Sequence, residues 1–380
     1  MHRLPPGAAT GIARNLVVAL IVLVAFLAGL ACRSAVAQQC TPAGGGPPCE
    51  TEDGVASLGD PDGSDLTVGN PFHPVTGNKY QEEQDVPPLP GFLGLEVRRH
   101  FNAAYVSAAS PWGKGWSLSY DTRLHRHAGS LQIVQADGRR LVFRAPEPAG
   151  AVAGRAGIAC AATAPGQGEL FAEADGYRWL WPQQRELLFD STGKLVKVRP
   201  RGGSDAEAIR IEHDPTGRII RVTDPAGRSL TIDYDANGHL SRIDHPLGRW
   251  QYRIHADGRL ETVTGPDGVV RRYRYDDPGH RSRFTALAIQ APGEAERLVA
   301  QWSYDTLGRV VRYRRGDGGL LHMDYDEPPS PSQSSSATAS SSAEVVSVLT
   351  NALGARTRYT AVELAGRWRV TEIAGPGCEE

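Results

Sequence analysis

Residues 214 to 249 read DPTGRIIRVTDPAGRSLTIDYDANGHLSRIDHPLGR. The phrase Asp-x-x-Gly-Arg nearly repeats inside this stretch, and its glycines keep time beyond it. From Gly217 through Gly227, Gly238, Gly248, Gly258 and Gly268 to Gly279 the steps are 10, 11, 10, 10, 10 and 11. A step of about ten fits one strand of about 5–6 residues plus a tight turn and leaves little room for helices. Self-similarity at a fixed period marks a repeat architecture. Leu230, Ile232 and Tyr234 alternate with Thr231 and Asp233, and Trp250, Tyr252 and Ile254 alternate with Gln251 and Arg253. That pattern gives each strand one apolar and one polar face. In the other half-units the apolar residues stand three apart: Ile219 and Val222, Leu240 and Ile243, Leu260 and Val263. A β-bulge, or a turn reaching into the strand, would explain that spacing. No strand pair buries its apolar face alone, so neighbouring units must stack.

The repeated phrase has a local explanation. An aspartate at a turn accepts nearby backbone N–H groups, and glycine supplies the positive φ of a tight hairpin turn. The arginine that follows can lay its stem over apolar surface. Asp214, Asp224, Asp235, Asp257, Asp267 and Asp276 thus read as turn residues. Gly217, Gly227, Gly238, Gly248, Gly258, Gly268, Gly279 and Gly308 read as the turn glycines.

The chain of 380 residues has 40% apolar content, enough for a core, and its 43 glycines and 27 prolines point to many turns. A net charge of -2 argues against a general nucleic-acid binder. Arg3 and Arg14 precede an apolar run from Leu16 to Ala31, then Ala35-Val36-Ala37. This is the order of a secretory signal peptide over residues 1–37. The run is shorter than the roughly 20 residues of a spanning helix. The expectation is a secreted, periplasmic or surface protein with no stable membrane span after cleavage; lipidation at Cys32 fits less well. Residues 38–65 read as a flexible Gly/Pro-rich lead-in, with Cys40 and Cys49 as the candidate local disulfide. Cys160 and Cys378 have no assigned partner. Residues 66–146 read as a β-rich domain, 147–168 as an irregular insertion and 169–327 as the repeat region. Residues 328–343 form a Ser-rich disordered loop, and 344–380 read as incomplete further repeats.

A search for chemistry finds none assembled. There is no His-Glu-x-x-His, Gly-x-Ser-x-Gly or Walker glycine loop. Residues 60–65, DPDGSD, open like a calcium loop, but the twelfth position is Pro71 where a glutamate is needed. His125 and His127 share a strand face without a third ligand. No catalytic, cofactor or metal site is expected, and the leading reading is a structural scaffold rather than an enzyme. The rival reading is an extracellular carbohydrate- or cell-surface-binding module. In it Trp250, Tyr252, Tyr273 and Trp302 would form a stacking platform for glycans; their alternative place is the buried face of the sheet.

These residues also carry a resemblance. Tyr234-Asp235-Ala-Asn-Gly238-His-Leu240, Tyr275-Asp276 with Gly279, Tyr304-Asp305-Thr-Leu-Gly308-Arg309 and Tyr325-Asp326 resemble the YD repeat of Rhs proteins. Upstream, Asn70-Pro71, Thr76-Gly77-Asn78-Lys79, Arg99-His100-Phe101-Asn102, Gly113-Lys114-Gly115-Trp116 and Asp137-Gly138-Arg139 resemble the β-domain that precedes those repeats in secreted Rhs-family proteins. The resemblance spans residues 66 to 380. It implies an all-β chain whose antiparallel repeats form a strip or partial shell, with an N-terminal β-rich domain capping the first repeat. It also implies further repeats or a C-terminal toxin or effector domain as partners that this chain does not contain. Two departures stand out. His213 and His255 replace the family's tyrosine, and the rhythm slips between Gly279 and Gly308.

Overall fold

The computed structural model describes Val68 and residues 71–91, 93–145, 157–163, 166–181, 185–326, 344–364 and 367–376. All lie within one compact unit, Pro42–Glu380. The expected signal peptide, lead-in and Ser-rich loop lie outside the described residues, as do Cys40, Cys49 and Cys378. The described chain is almost wholly β. Its only helical turns are the short 3-10 turns Ala103–Tyr105 and Asp205–Glu207.

A three-stranded antiparallel sheet comes first: β1 Tyr80–Val86, β2 Val97–Asn102 and β3 Trp116–Leu118. A second, long sheet takes everything after it. It begins with β4 Arg123–His127, β5 Ser130–Val134, β6 Arg140–Arg144, β7 Ile158–Ala162, β8 Glu169–Glu173, β9 Gly176–Trp181, β10 Arg185–Asp190 and β11 Leu195–Pro200. The repeats follow as β12 Ile209–His213, β13 Ile219–Thr223, β14 Ser229–Tyr234, β15 Leu240–His245, β16 Gly248–Ile254, β17 Leu260–Thr264 and β18 Val270–Arg274. The sheet continues through β19 Ala286–Gln290, β20 Arg297–Tyr304, β21 Val310–Arg315, β22 Leu320–Tyr325, β23 Glu344–Asn351, β24 Arg356–Leu364 and β25 Arg367–Ala374.

Each strand from β4 to β25 pairs antiparallel with the next in chain order. The strip bends until its first strand meets a later turn. Leu124 N donates to Gly193 O at 2.8 Å, and Arg123 bridges Lys194. Closure occurs at that contact; among the described residues no ladder joins β4 to β25.

The three-residue spacing of the apolar pairs is a bulge. His213 faces Ile219 while Glu212 faces Arg221, so Ile220 is the extra residue and is exposed. The same shift recurs where Tyr234 faces Leu240, Ile254 faces Leu260 and Tyr304 faces Val310. Each bulge turns two apolar side chains to one face. Ile219, Val222, Leu240, Ile243, Leu260 and Val263 are all buried in one continuous core.

Two sequence expectations need correction. Residues 147–168 are not wholly irregular, because β7 pairs with β6 and β8 inside that range. Within residues 66–146, β4–β6 start the strip and β1–β3 stand apart. His255 does not replace a tyrosine. It takes the aspartate's place at the head of its turn, where its N donates to Arg259 O and Gly258 N donates to His255 O.

Candidate functional site

Each repeat turn is built by a few side chains. At the first, Gly217 N donates to Asp214 O and Asp214 N donates to Arg218 O, which makes a tight turn closed by a bulge glycine. Asp214 Oδ1 accepts from Thr216 N and Arg218 N, at 2.9 and 3.0 Å. Its second oxygen holds Arg218 Nε at 2.8 Å. Burial alone would raise its pKa, but the Thr216 hydroxyl and the Arg218 amide and guanidinium hold the carboxyl well below the usual range. Asp224, Asp235 and Asp305 start turns of the same form. Asp257 and Asp267 instead sit one residue before the glycine and accept from the second amide on. Asp276 heads no tight turn; its N donates to Thr285 Oγ1. Gly217, Gly227, Gly238, Gly248, Gly258, Gly268 and Gly308 have positive φ, and Gly279 does not.

The arginine after the glycine links one repeat to the next. The Arg218 guanidinium lies 4.6 Å from the centre of the Tyr234 ring, and Tyr234 OH donates to Ile219 O at 2.7 Å. Asp305, Arg309 and Tyr325 repeat the arrangement: the ring lies at 4.5 Å and its hydroxyl donates to Val310 O at 2.7 Å. Ile219 and Val310 are the bulge residues, so the tyrosine satisfies a carbonyl at the irregular point of the ladder.

The β1–β3 unit packs against the apolar side of this strip. Asp85 on β1 and Arg99 on β2 form a two-pronged ion pair at 2.6 and 3.0 Å, both side chains fully buried. Strip residues complete it. Tyr252 OH donates to Asp85 Oδ2 at 2.7 Å, and Arg99 Nη2 donates to Tyr273 OH at 3.0 Å. Arg271 reaches Asp85 at 2.7 Å and Glu83 at 2.8 Å. Burial would raise the Asp85 pKa, but Arg99, Arg271 and Tyr252 bring it below the usual value. Arg99 is held charged by Asp85 against its burial. Lys79 lies fully buried over the Trp302 ring at 4.2 Å and donates to Pro71 O and Gln81 Oε1. Burial pulls its pKa well down, with Glu83 opposing. Phe101, Trp116 and Phe284 fill the space beside it.

Backbone bonds close the seam. Leu240 N donates to Pro111 O, Lys114 N to Gly258 O and Val310 N to Gly77 O, at 2.7, 2.7 and 2.9 Å. Leu240 and Val310 are again bulge residues, so the cap takes up amides that the strip's own ladder leaves over. The cap covers the middle repeats rather than the first one alone, because its partners among the repeats run from Arg228 to Tyr325. The proposed glycan platform is corrected by the same packing: Trp250, Tyr252, Tyr273 and Trp302 are between 1% and 6% exposed and lie in the core. His125 and His127 gain no third ligand, and no group of three metal-binding side chains occurs among the described residues. Cys160 is buried and free. No helix among the described residues is long and apolar enough to cross a membrane.

Two segments of the chain match known families. Residues 213–249 match the RHS Repeat family, and residues 69–143 match a domain of unknown function, DUF6531. The chain is an Rhs-type, YD-repeat protein. It is similar to Double-stranded DNA deaminase toxin A of Burkholderia cenocepacia (strain H111), at 26% identity over 289 residues, covering 68% of this chain and 19% of the relative. Among solved structures it aligns with the TcdB2-TccC3-Cdc42 crystal structure at 11% identity and TM-score 0.29, over 81% of this chain and 20% of that one. It aligns with the Photorhabdus luminescens Tc holotoxin pore at 13% identity and TM-score 0.20, over 80% and 20%. Overall superposition at these scores is low. The chain spans about a fifth of the length of these proteins.

Proposed function

We propose that this chain is a structural scaffold: a capped stretch of Rhs-type shell wall, of the kind that encloses or presents an effector borne by a longer protein. The seam carries this reading. An ion pair, a lysine and six aromatic rings are spent on joining the β1–β3 unit to the strip, and the strip's apolar side is thereby filled. A face committed to packing leaves the aromatic rings no room to take a ligand. The deaminase named for the relative belongs, in this reading, to parts of that protein outside the shared region. Zinc deaminases pair H-x-E with P-C-x-x-C, and neither phrase occurs in these 380 residues. The purified chain should therefore form no uracil in double-stranded DNA; uracil above the protein-free control would overturn the scaffold reading. We further propose export through residues 1–37, in which case the exported protein should begin at Gln38. A mature protein still beginning at Met1 would refute that.

A further inference from the structure

We infer that the turn from His73 to Asn78 is an acid-released foot of the cap, held on the strip only while His73 Nδ1 is unprotonated. The inference rests on the reading of β1–β3 as a cap and adds a way to loosen it. His73 is buried. Its Nδ1 accepts two backbone bonds, from Val75 N and Thr76 N, both at 3.2 Å. A ring nitrogen that accepts cannot also carry a proton, so the imidazole is neutral with its hydrogen on Nε2. The same turn is closed by Gly77 N donating to His73 O and His73 N donating to Asn78 O, at 2.9 and 3.0 Å. It touches the strip twice: Val75 packs with Tyr359 and Ala361 of β24, and the tip meets the turn before β21. Gly77 O accepts from Val310 N at 2.9 Å. The approach is so close that a Cβ on Gly77 would lie 2.3 Å from Arg309 Cβ. A proton on Nδ1 would set a donor against two donors inside the core, and the turn would have to open.

Burial lowers the His73 pKa to about 4. The sign follows from linkage. A folded-state pKa below the unfolded value of about 6.5 gives stability that is complete above that pH. It is lost as pH falls from there toward 4.

The other charged and titratable groups at the foot do not oppose this. Lys79 is buried among Pro71 O, Gln81 Oε1 and the Trp302 ring, with its pKa pulled down by burial and Glu83 opposing. It is unchanged in the His73→Asn variant below, which separates its response from that of His73. From the strip come Arg309, paired with Asp305, and Tyr325, whose hydroxyl donates to Val310 O. His280 Nε2 lies 2.6 Å from Asp305 O, and an imidazolium there can still donate to that oxygen. His100, held near 4 by burial against Tyr80 OH, is a second acid-sensitive group of the cap, away from the foot.

The test is hydrogen exchange of the full chain at pH 7 and pH 5, corrected for intrinsic rates. In the wild type, protection of Val75, Thr76 and Val310 should fall by about tenfold or more at pH 5, within the thirtyfold or so that linkage allows one histidine. Amides inside β14–β17 should keep theirs. His73→Asn keeps a side-chain acceptor, as Asn351 Oδ1 accepts from Leu353 N elsewhere in this chain, but binds no proton. Its foot should stay protected at both pH values, while His73→Ala should be loose already at pH 7. Equal foot protection of the wild type at the two pH values would overturn the inference, as would loosening of His73→Asn in step with the wild type. A Val310 amide that is unprotected at pH 7 would overturn the cap reading itself, and the inference with it.

Discussion

The guanidinium of Arg99 and the carboxylate of Asp85 meet in a fork closed to water, with Nε to Oδ2 at 2.6 Å and Nη2 to Oδ1 at 3.0 Å. The pair is made within the cap but enclosed by the strip. Removing one partner leaves the other charge buried and unmatched, which costs about 3–5 kcal/mol. Asp85→Asn strands Arg99 and leaves Arg271 with Glu83 alone, and urea unfolding should show a loss of that size. A loss below about 1 kcal/mol would mean that water reaches the pair.

The same carboxylate sets an acid limit. Its pKa is depressed in the folded chain, so its contribution is complete above the unfolded value of about 3.9 and is lost as pH falls through the lower folded value. Below pH 4 the wild type should lose stability more steeply than Asp85→Asn. Parallel curves would contradict this.

Glycines of equal φ should differ in consequence. At Gly227 φ is +82° and a Cβ would meet nothing, so Gly227→Ala should cost only the strain of about 1–2 kcal/mol. At Gly193 φ is +86° and a Cβ would lie 1.8 Å from Leu124 O. Gly193→Ala should cost more and should free the amide of Leu124 to exchange. Equal losses of thermal stability would show that β4 does not rest on this turn.

Aspartates of equal position should differ too. Asp235 is partly exposed and has His239 at 3.9 Å in place of an arginine, and an amide oxygen can still accept from Asn237 N and His239 N, so Asp235→Asn should change stability little. Asp224 is fully buried and holds Arg228 at 2.7 Å, and Arg228 in turn donates to Pro90 O of the cap. Asp224→Asn should cost about 1–3 kcal/mol. A ranking in the other order would remove the cap's hold on this turn.

Tyr234→Phe and Tyr325→Phe each delete one hydroxyl that serves a bulge carbonyl. Each should lose about 1 kcal/mol in thermal or urea unfolding, with the ring still under its arginine. No loss in either would mean that water replaces the hydroxyl.

What could be read from the sequence was what depends on neighbours along the chain. The ten-residue step, the glycine turns and the three-residue spacing of Ile219 and Val222 are local chemistry, and strand after strand follows them. The hold of Arg218 on Tyr234 joins residues sixteen apart, and it appears only once the strand order is known. The cap was harder still. Arg99 and Tyr273 are 174 residues apart, and Asp85, Arg99 and Lys79 look like surface charges until the strip covers them. His255 looked like a replaced tyrosine because a histidine ring resembles the tyrosine's place more than an aspartate's, yet its Nδ1 accepts from Asp257 N much as a carboxylate would. Strands β4–β6 carry the same alternation as β1–β3, and pairing alone decides which sheet they join.

The most direct test of the seam is a double-mutant cycle across it. Glu83 lies on β1 of the cap and Arg271 on β18 of the strip, 188 residues apart and 2.8 Å across. Glu83→Gln, Arg271→Gln and the double variant should be unfolded in urea and compared with the wild type. Residues in contact couple by about 0.5–3 kcal/mol, and independent sites add within about 0.5 kcal/mol. A coupling of about 1 kcal/mol or more is the result expected of a cap seated on the strip. Additive losses would contradict the seam, and with it the account of this chain as a capped wall.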